Sequence, residues 1–328
     1  MRIELTDNIQ IAEEFRQEIY SDLDSNRLSA GFDNRYLKSI VLGYDRKDSP
    51  AALMALYCNP ELKYRDFQTI AFGNYESKFD KTDSLTFLKI CEKEAIFLGA
   101  KSIIGPMNGS TWGPYRFRNE SASDVPLFAG EKLVQKEYSE TWREYFPIEH
   151  HYFSALDVSL DASAIVSVER KKSLSDSLTF RKPKMEYWKE ELSSLHELIH
   201  ESFMENFLFS PLTFSEFERL YSGFDQIVGQ GFTWLAEMEG KLVGFLFAYR
   251  DPTHRNRFVL KTLARLPKPE YLGVGALLTN HFYSSLPENT SVLHAFIHSE
   301  SKSVEHAEKM GVETYSTYSL FAKIIHKK

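Results

Sequence analysis

Cysteine is nearly absent from this chain of 328 residues, which contains only Cys58 and Cys91. Each lies in an apolar segment, and two isolated cysteines provide neither a disulfide framework nor a CxxC metal or redox motif. We therefore predict two buried thiols in a reducing compartment.

Positive charge is also scarce. The chain has 39 lysine and arginine residues against 46 aspartate and glutamate residues, and its net charge is -7. Nucleic-acid binding depends on attraction between basic side chains and phosphates, and the sequence has no long basic run. We expect no nucleic-acid partner.

Long apolar runs are missing as well. No uninterrupted stretch approaches the roughly 18 residues that cross a bilayer as a helix, and residues 1–10 lack the pattern of a secretory signal. We expect a soluble, cytoplasmic protein with no membrane partner. The 43% hydrophobic and 26% charged residues that are present are typical of a globular chain, and the length suits two domains.

The first half has a mixed α/β pattern. Ile11, Phe15 and Ile19 recur every fourth residue, which is the stripe of an amphipathic helix. Apolar runs at 51–57 and 67–72 predict strands.

A stretch rich in serine and charge follows at 157–177 and is typical of a linker. It divides the chain into predicted domains at 1–156 and 157–328. In the second domain, Thr213 and Glu216 form the capping box of a helix. The hydrophobic periodicity there predicts the element order β-α-α-β-β-β-α-β-α-β.

A glycine turn at 258–278 is the most informative segment. An extended run ends at Pro267, and a helix opens at Gly273, Val274 and Gly275. Two glycines at such a turn let the backbone approach a ligand, while the free N–H groups and the positive end of the helix face outward. This arrangement suits a pyrophosphate.

This turn and its surroundings resemble the GNAT superfamily of N-acyltransferases. The similarity rests on residues 261–267 and 273–278, the strand at 294–297, Gly311 and Tyr318. The resemblance implies acetyl-CoA, or another acyl-CoA, as cofactor. It implies these cofactor-binding residues: Leu263, Ala264, Arg265, Glu270, Tyr271, Leu272, Gly273, Val274, Gly275, Ala276, Ser301 and Ser303.

The chain departs from the family pattern at two positions. Glu270 stands where the family has arginine or glutamine, and Ala307 stands where many members have a tyrosine. A carboxylate at 270 would repel a phosphate, so we expect the backbone N–H groups to carry phosphate binding. The general acid is left unassigned.

The first half also resembles a GNAT domain, through 69–77 and 104–112, as in uncharacterised bacterial proteins with two such folds in tandem. At the position that corresponds to the glycine turn, the first half has residues 79–83, which include two acids and no glycine. We expect a degenerate first copy that does not bind coenzyme A. The predicted fold is thus α/β, with tandem GNAT-like units whose mixed, mostly antiparallel sheet is flanked by helices.

The function expected from the resemblance is acyl-CoA-dependent N-acylation of a small-molecule amine. A non-catalytic acyl-CoA-binding or regulatory protein is the alternative, and an aminoacyl transferase using charged tRNA is disfavoured by the acidic balance. Four residues are candidate catalytic groups: Glu237, Tyr249, His294 and His298. The loop with Trp112, Tyr115, Arg116 and Arg118 either lines a substrate cleft between the domains or packs against its own domain.

A zinc hydrolase is a weaker alternative. His196 and His200 form a literal HExxH with Glu197 between them, and on a helix the two imidazoles would share a face. Glu218 is a distant candidate for the third ligand, but no further motif supports it. We therefore expect no metal and a solvated helix flank.

Overall fold

The computed structural model describes residues 1–19, 31–32, 35–121, 123–132, 134–162, 167–175, 177–229 and 231–325. The strands are β1 (Arg2–Thr6), β2 (Leu37–Tyr44), β3 (Pro50–Tyr57), β4 (Lys63–Tyr64), β5 (Phe67–Ser77), β6 (Ser102–Gly105), β7 (Phe117–Arg118), β8 (Ile148–Asp157), β9 (Leu178–Arg181), β10 (Trp234–Met238), β11 (Lys241–Arg250), β12 (Arg257–Arg265), β13 (Ser291–His298) and β14 (Glu313–Ile324). The α-helices are α1 (Ile9–Ile19), α2 (Lys81–Phe97), α3 (Lys136–Tyr145), α4 (Val168–Ser175), α5 (Trp188–Phe203), α6 (Phe214–Tyr221), α7 (Asp225–Val228), α8 (Val274–Ser284) and α9 (Lys302–Met310).

The strands form one mixed sheet with the order β1-β2-β3-β5-β6-β14-β8-β13-β12-β11-β10-β9, while β4 pairs with β5 and β7 with β14. Within the described residues, only the pairs β5–β6 and β12–β13 are parallel. Helices pack against this sheet, for example α8 on β11 and α1 on β3. The predicted fold class, a mostly antiparallel sheet flanked by helices, is confirmed.

The second half follows the predicted order of elements from β9 to β14, with the short helix α7 added before β10. Its capping box is also present, because the Glu216 carboxylate accepts the N–H of Thr213 at 2.8 Å. The predicted linker contains α4, whereas its residues 163–166 and 176 lie outside the described residues. Of the two thiols, Cys91 is buried as predicted, but Cys58 is only half-buried.

The two halves exchange their last strands. β8 ends the first half yet pairs with β13 of the second half, with Asp157 opposite Val292. β14 ends the second half yet pairs with β6, with Gly105 opposite Phe321. β8 and β14 then pair with each other in the middle of the sheet. The division at 156/157 stays a prediction, and strand pairing crosses it twice.

The exchanged strand β14 also carries part of the first half's core. Phe321 is 0% exposed, and its ring centroid lies 6.1 Å from that of Trp142 on α3. Phe117 and Phe146 pack around the same two rings. The first half therefore depends on the end of the chain for its core. None of the helices in the described ranges combines the length and hydropathy needed to cross a membrane.

We expect Phe321→Ala to lower the free energy of unfolding by about 3–5 kcal/mol, because it leaves a cavity among packed aromatic rings. Phe97→Ala is the control, since Phe97 is 83% exposed and its removal should have little effect. Chemical denaturation followed by circular dichroism measures both. A loss for Phe321→Ala as small as that of the control would contradict the assignment of β14 to the first half's core.

Candidate active site

The parallel strands β12 and β13 diverge at their middle. They pair with each other from Arg257 opposite Ser291 to Leu260 opposite His294. Both strands then continue without pairing to each other. Each strand carries an irregularity at this level. A gap thus opens between the second halves of two neighbouring strands.

Bulges direct side chains into this gap. On β12, Lys261 is the extra residue of a bulge, because Thr262 and Leu260 pair with consecutive residues of β11. On β13, the pairing with β8 is interrupted between His294 and Ile297, and Phe296 has a φ of 62°. Bulges of this kind re-aim side chains and are frequent next to active sites.

A cavity of about 540 Å³ lies where this gap meets the corresponding gap of the first half. In the first half, β5 and β6 pair only up to Ala71 opposite Ile104. The lining includes Lys261 and Phe296 from one pair of strands and Asn74 from the other. The volume is in the range of small-molecule sites.

The loop after β6 forms one wall of the cavity. Trp112, Tyr115, Arg116 and Arg118 all contribute to the lining. Of the two interpretations that the sequence left open for these residues, the structure favours a cleft between the halves.

Lys261 is the candidate proton acceptor of the cavity. Its Nζ lies 4.1 Å from the centre of the Phe296 ring. The side chain is solvent-accessible through the cavity, but the protein around the cavity desolvates it. This desolvation, followed by the positive charge of Arg116, lowers the pKa of Lys261 to about 7.

The N-terminus of α8 lies beyond the end of β12 and is uncapped. Gly273 has a φ of 98° and no side chain caps the helix. The N–H groups of residues 273–276 meet no acceptor within the described part of the chain. A Cβ on Gly275 would meet only Leu263, at 3.7 Å, so the glycine leaves an open surface beside the free N–H groups.

Arg170 of α4 reaches the turn before α8. Its guanidinium donates to the carbonyl oxygens of Leu272 at 2.8 Å and Pro269 at 3.2 Å, and also to that of Glu270. The turn thus has an arginine beside it, although its own residue at 270 is acidic.

No family model matches the chain. Among curated proteins, the bacterial ceramide synthase of Caulobacter vibrioides is 23% identical over 119 residues, which cover 36% of this chain and 29% of that protein. The match therefore spans less than a third of the relative's length.

Solved structures resemble the chain over almost its whole length. A GCN5-related N-acetyltransferase from Sphaerobacter thermophilus has a TM-score of 0.54 at 10% identity. The match covers 99% of this chain and 96% of that one. A tandem GNAT protein from the clavulanic acid biosynthesis pathway has a TM-score of 0.51 at 10% identity, with 100% of both chains covered. The chain has the tandem GNAT fold.

A further match comes from Enterococcus faecalis, where a conserved protein of unknown function described as a probable N-acyltransferase has a TM-score of 0.56 at 8% identity. It covers 99% of this chain and 72% of that one. At such identities the likeness shows the tandem GNAT fold, and the chemistry must be argued from the residues.

The two GNAT units differ at the helix entrance that follows the diverging strand. In the first unit, Asp80 caps α2, and its carboxylate accepts the N–H of Asp83 at 2.9 Å. A carboxylate of the chain therefore occupies the place that an anion would take. The rings of Tyr75, Phe117 and Trp142 pack beside the diverging end of β5. These contacts support the expectation that the first unit does not bind coenzyme A.

The remaining predicted cofactor residues lie on both sides of the gap. Leu263, Ala264 and Arg265 follow Lys261 on β12, and Tyr271 belongs to the turn before α8. On the other side, Ser301 and Ser303 begin α9, where the Ser301 hydroxyl donates to the His298 carbonyl at 2.8 Å.

Two of the predicted catalytic residues have structural partners outside the cavity lining. Glu237 on β10 forms an ion pair with Arg181 at 2.7 Å. The Tyr249 hydroxyl on β11 donates to the Ala129 carbonyl at 2.6 Å, and burial raises its pKa well above the usual value.

The two histidines on β13 are also outside the lining. Nε2 of His294 lies 2.8 Å from the Tyr283 hydroxyl, and desolvation lowers the pKa of His294 to about 4. His298 stacks on Phe207. The catalytic roles of all four residues stay predictions, and the cavity offers Lys261 instead.

His298 forms a cluster with His150 and Glu300 that the sequence analysis does not predict, and the candidate ligand atoms of the three residues lie within 4.8 Å of one another. His150 lies on β8. Its Nε2 lies 3.0 Å from the Tyr64 hydroxyl.

The two histidines of the HExxH motif form hydrogen bonds to the backbone of Leu212. His196 Nε2 lies 2.8 Å from the Leu212 carbonyl oxygen, and His200 Nε2 accepts the Leu212 N–H at 2.9 Å. His200 Nδ1 is occupied by the His196 carbonyl at 2.8 Å. The two nitrogens of His200 are thus both engaged with the backbone, which argues against zinc binding. The flank is half-buried and not solvated as expected.

We expect His200→Ala to lower the free energy of unfolding by about 1–3 kcal/mol, because the N–H of Leu212 loses its acceptor in a partly buried site. Chemical denaturation measures the change. Ser194→Ala is the control, since Ser194 is an exposed residue of the same helix. Equal stabilities of parent and His200→Ala would contradict the structural role given to this histidine.

Proposed function

We propose that this chain is an acyl-CoA-dependent N-acyltransferase with a single cofactor site, in its second half, and a small-molecule amine as acceptor. The uncapped N-terminus of α8 beside the gap between β12 and β13 carries this proposal. The gap leads directly to the cavity that contains Lys261. The proposed pyrophosphate site, the gap for the extended part of the cofactor and the cavity for the reaction therefore follow one another.

The residues of the second half fit an acyl-CoA in three parts. The free N–H groups at 273–276 suit the pyrophosphate, and Arg170 adds positive charge beside them. The unpaired edge of β12 at 263–265 can bond pantetheine in the manner of an added strand. Ser301 and Ser303, at the start of α9 after β13, are proposed as further contacts.

Lys261 is proposed as the general base. The thioester of the bound acyl-CoA supplies the electrophilic carbonyl. Attack requires a neutral amine, and Lys261 has a pKa of about 7, so that much of it is neutral at physiological pH. As the N–C bond forms and the C–S bond breaks, Lys261 takes the proton that the amine loses and returns it to the departing thiolate.

The names of the relatives agree with amide formation. The Caulobacter protein is called a ceramide synthase, and the Sphaerobacter protein an N-acetyltransferase. The alternative of a binding protein without turnover is motivated by Glu270 and Ala307, which depart from the family pattern. Cofactor binding together with the absence of acyl transfer would favour that alternative.

We expect acetyl-CoA to bind with one site per chain and Gly275→Val to abolish binding, because the added side chain would project beside the free N–H groups. Titration calorimetry measures both. Thr82→Val is the matched control, since Thr82 is likewise the second residue of its helix, in the first half. Two equivalent sites, no site, or unchanged binding by a folded Gly275→Val would contradict the proposal.

We expect Lys261→Gln to lower kcat by about 10²- to 10⁴-fold, the usual contribution of a general base, with acetyl-CoA affinity unchanged. A lysine with a lowered pKa loses its proton above about pH 7, so the parent rate should rise through that pH and the variant should lack this rise.

Release of the coenzyme A thiol with a panel of amines measures the rate across pH. Lys241→Gln is the control, because Lys241 is an exposed residue of the neighbouring strand β11, outside the cavity lining. A pH profile that is the same for parent and Lys261→Gln would refute the assignment of Lys261 as base.

A further inference from the structure

Arg116 occupies an unusual position in the cavity. Its backbone has a φ of 70° and is fixed by a hydrogen bond from its N–H to the Pro106 carbonyl at 2.8 Å. The guanidinium carbon lies 3.9 Å from the centre of the Tyr115 ring and 4.0 Å from that of Phe296. Tyr152 adds a third ring at 4.8 Å. Aromatic rings thus hold the guanidinium in a fixed place.

These rings do not satisfy the hydrogen-bonding capacity of Arg116. Its Nη1 is buried without a hydrogen-bond partner, and no described carboxylate forms an ion pair with it. Burying an N–H donor without a partner is costly, and Nη1 of Arg116 is such a donor. The arrangement is that of a preorganised donor that awaits an acceptor.

Arg118, two residues further on, shows the contrast. It forms an ion pair with Glu131 at 3.3 Å and donates to Ser316 Oγ at 2.9 Å and to the Val125 carbonyl at 2.7 Å. The same loop therefore contains one arginine with a complete set of structural partners and one without.

The charge balance of the cavity supports an anionic ligand. Its lining contains two acids, and both are engaged. Glu131 is held by Arg118, and Glu76 accepts the Tyr138 hydroxyl at 3.2 Å. Lys132 adds a further basic side chain to the lining, and Lys261, whose pKa is lowered to about 7, adds positive charge only in its protonated fraction. A protein of net charge -7 thus has a local excess of positive charge here.

We propose that Arg116 binds an oxyanion group, a carboxylate or a phosphate, carried by the acyl acceptor. The assignment of this ligand as the acyl acceptor rests on the proposed transferase function. Arg116 enters the cavity from the segment that follows β6 in the first half, whereas the acyl-CoA is proposed to bind at α8 of the second half, so its ligand is assigned to the acceptor and not to the acyl group. A paired oxyanion satisfies the planar guanidinium.

The test is a binding titration without turnover. Hexanoate and hexanamide are similar in shape and differ in charge, and saturation-transfer NMR gives their dissociation constants. We expect the parent to bind hexanoate at least about tenfold more tightly than hexanamide, because hydrogen bonds to an ionised acceptor are the stronger kind. Hexyl phosphate serves as the phosphate probe.

Arg116→Gln should lose the preference for the anion, and Arg116→Lys should retain part of it. Retention in Arg116→Lys would show that the loss in Arg116→Gln comes from the missing charge and not from misfolding. Lys132→Gln removes one positive charge from the same cavity lining without touching the aromatic rings around Arg116, and should keep the preference. Equal binding of hexanoate and hexanamide by the parent, together with no binding of hexyl phosphate, would overturn the proposal. So would an Arg116→Gln that keeps the preference.

A last arm assigns the anion to the acceptor. With acetyl-CoA at saturation, hexanoate should still bind to the parent. Its displacement would place the anion on the acyl side and overturn the proposal. If calorimetry finds no acetyl-CoA binding, the transferase proposal fails by itself, while the comparison of parent and Arg116→Gln still decides whether Arg116 is an anion site.

Discussion

The antiparallel pairing of β8 with β14 is the constraint on which the rest of the molecule depends. Each strand ends one half of the chain and pairs with the sheet of the other half. Side chains reinforce the exchange, because Ser154 Oγ and the Tyr318 hydroxyl lie 2.7 Å apart across it. Two sheets joined in this way place both diverging strand pairs at one cavity, so that neither half builds the site alone.

The two halves share an element order but contribute different parts of the candidate site. In the second half, Gly273 and Gly275 leave the entrance of α8 free, whereas Asp80 closes the entrance of α2 with its own carboxylate. The first half contributes the loop with Arg116 and Arg118 instead. The first half thus forms one wall of the shared cavity, while its own helix entrance is capped.

Local patterns in the sequence predict the elements of the second half well. The capping box of Thr213 and Glu216 and the glycine turn before α8 are decided by neighbouring residues, and both are present in the structure. The strand exchange could not be predicted, because the partner of an apolar strand such as β14 is set by long-range packing and not by its own alternation.

The chemistry of single side chains depends on the same distant contacts. Lys261 lies within the family motif, but its lowered pKa arises from the enclosure of the cavity and from Arg116 on another loop. His200 resembles a zinc ligand in sequence, and only the position of Leu212 shows that its nitrogens are engaged. A motif specifies which groups are present, whereas the fold decides which of them are free.

Diffraction from crystals grown with acetyl-CoA would show where the cofactor binds. We expect one cofactor per chain, with its pyrophosphate on the N–H groups at 273–276 and its acetyl group beside Lys261, where β12 and β13 diverge. Cofactor bound at the Asp80 entrance of α2, or bound to α8 with its acetyl group outside the shared cavity, would contradict this expectation.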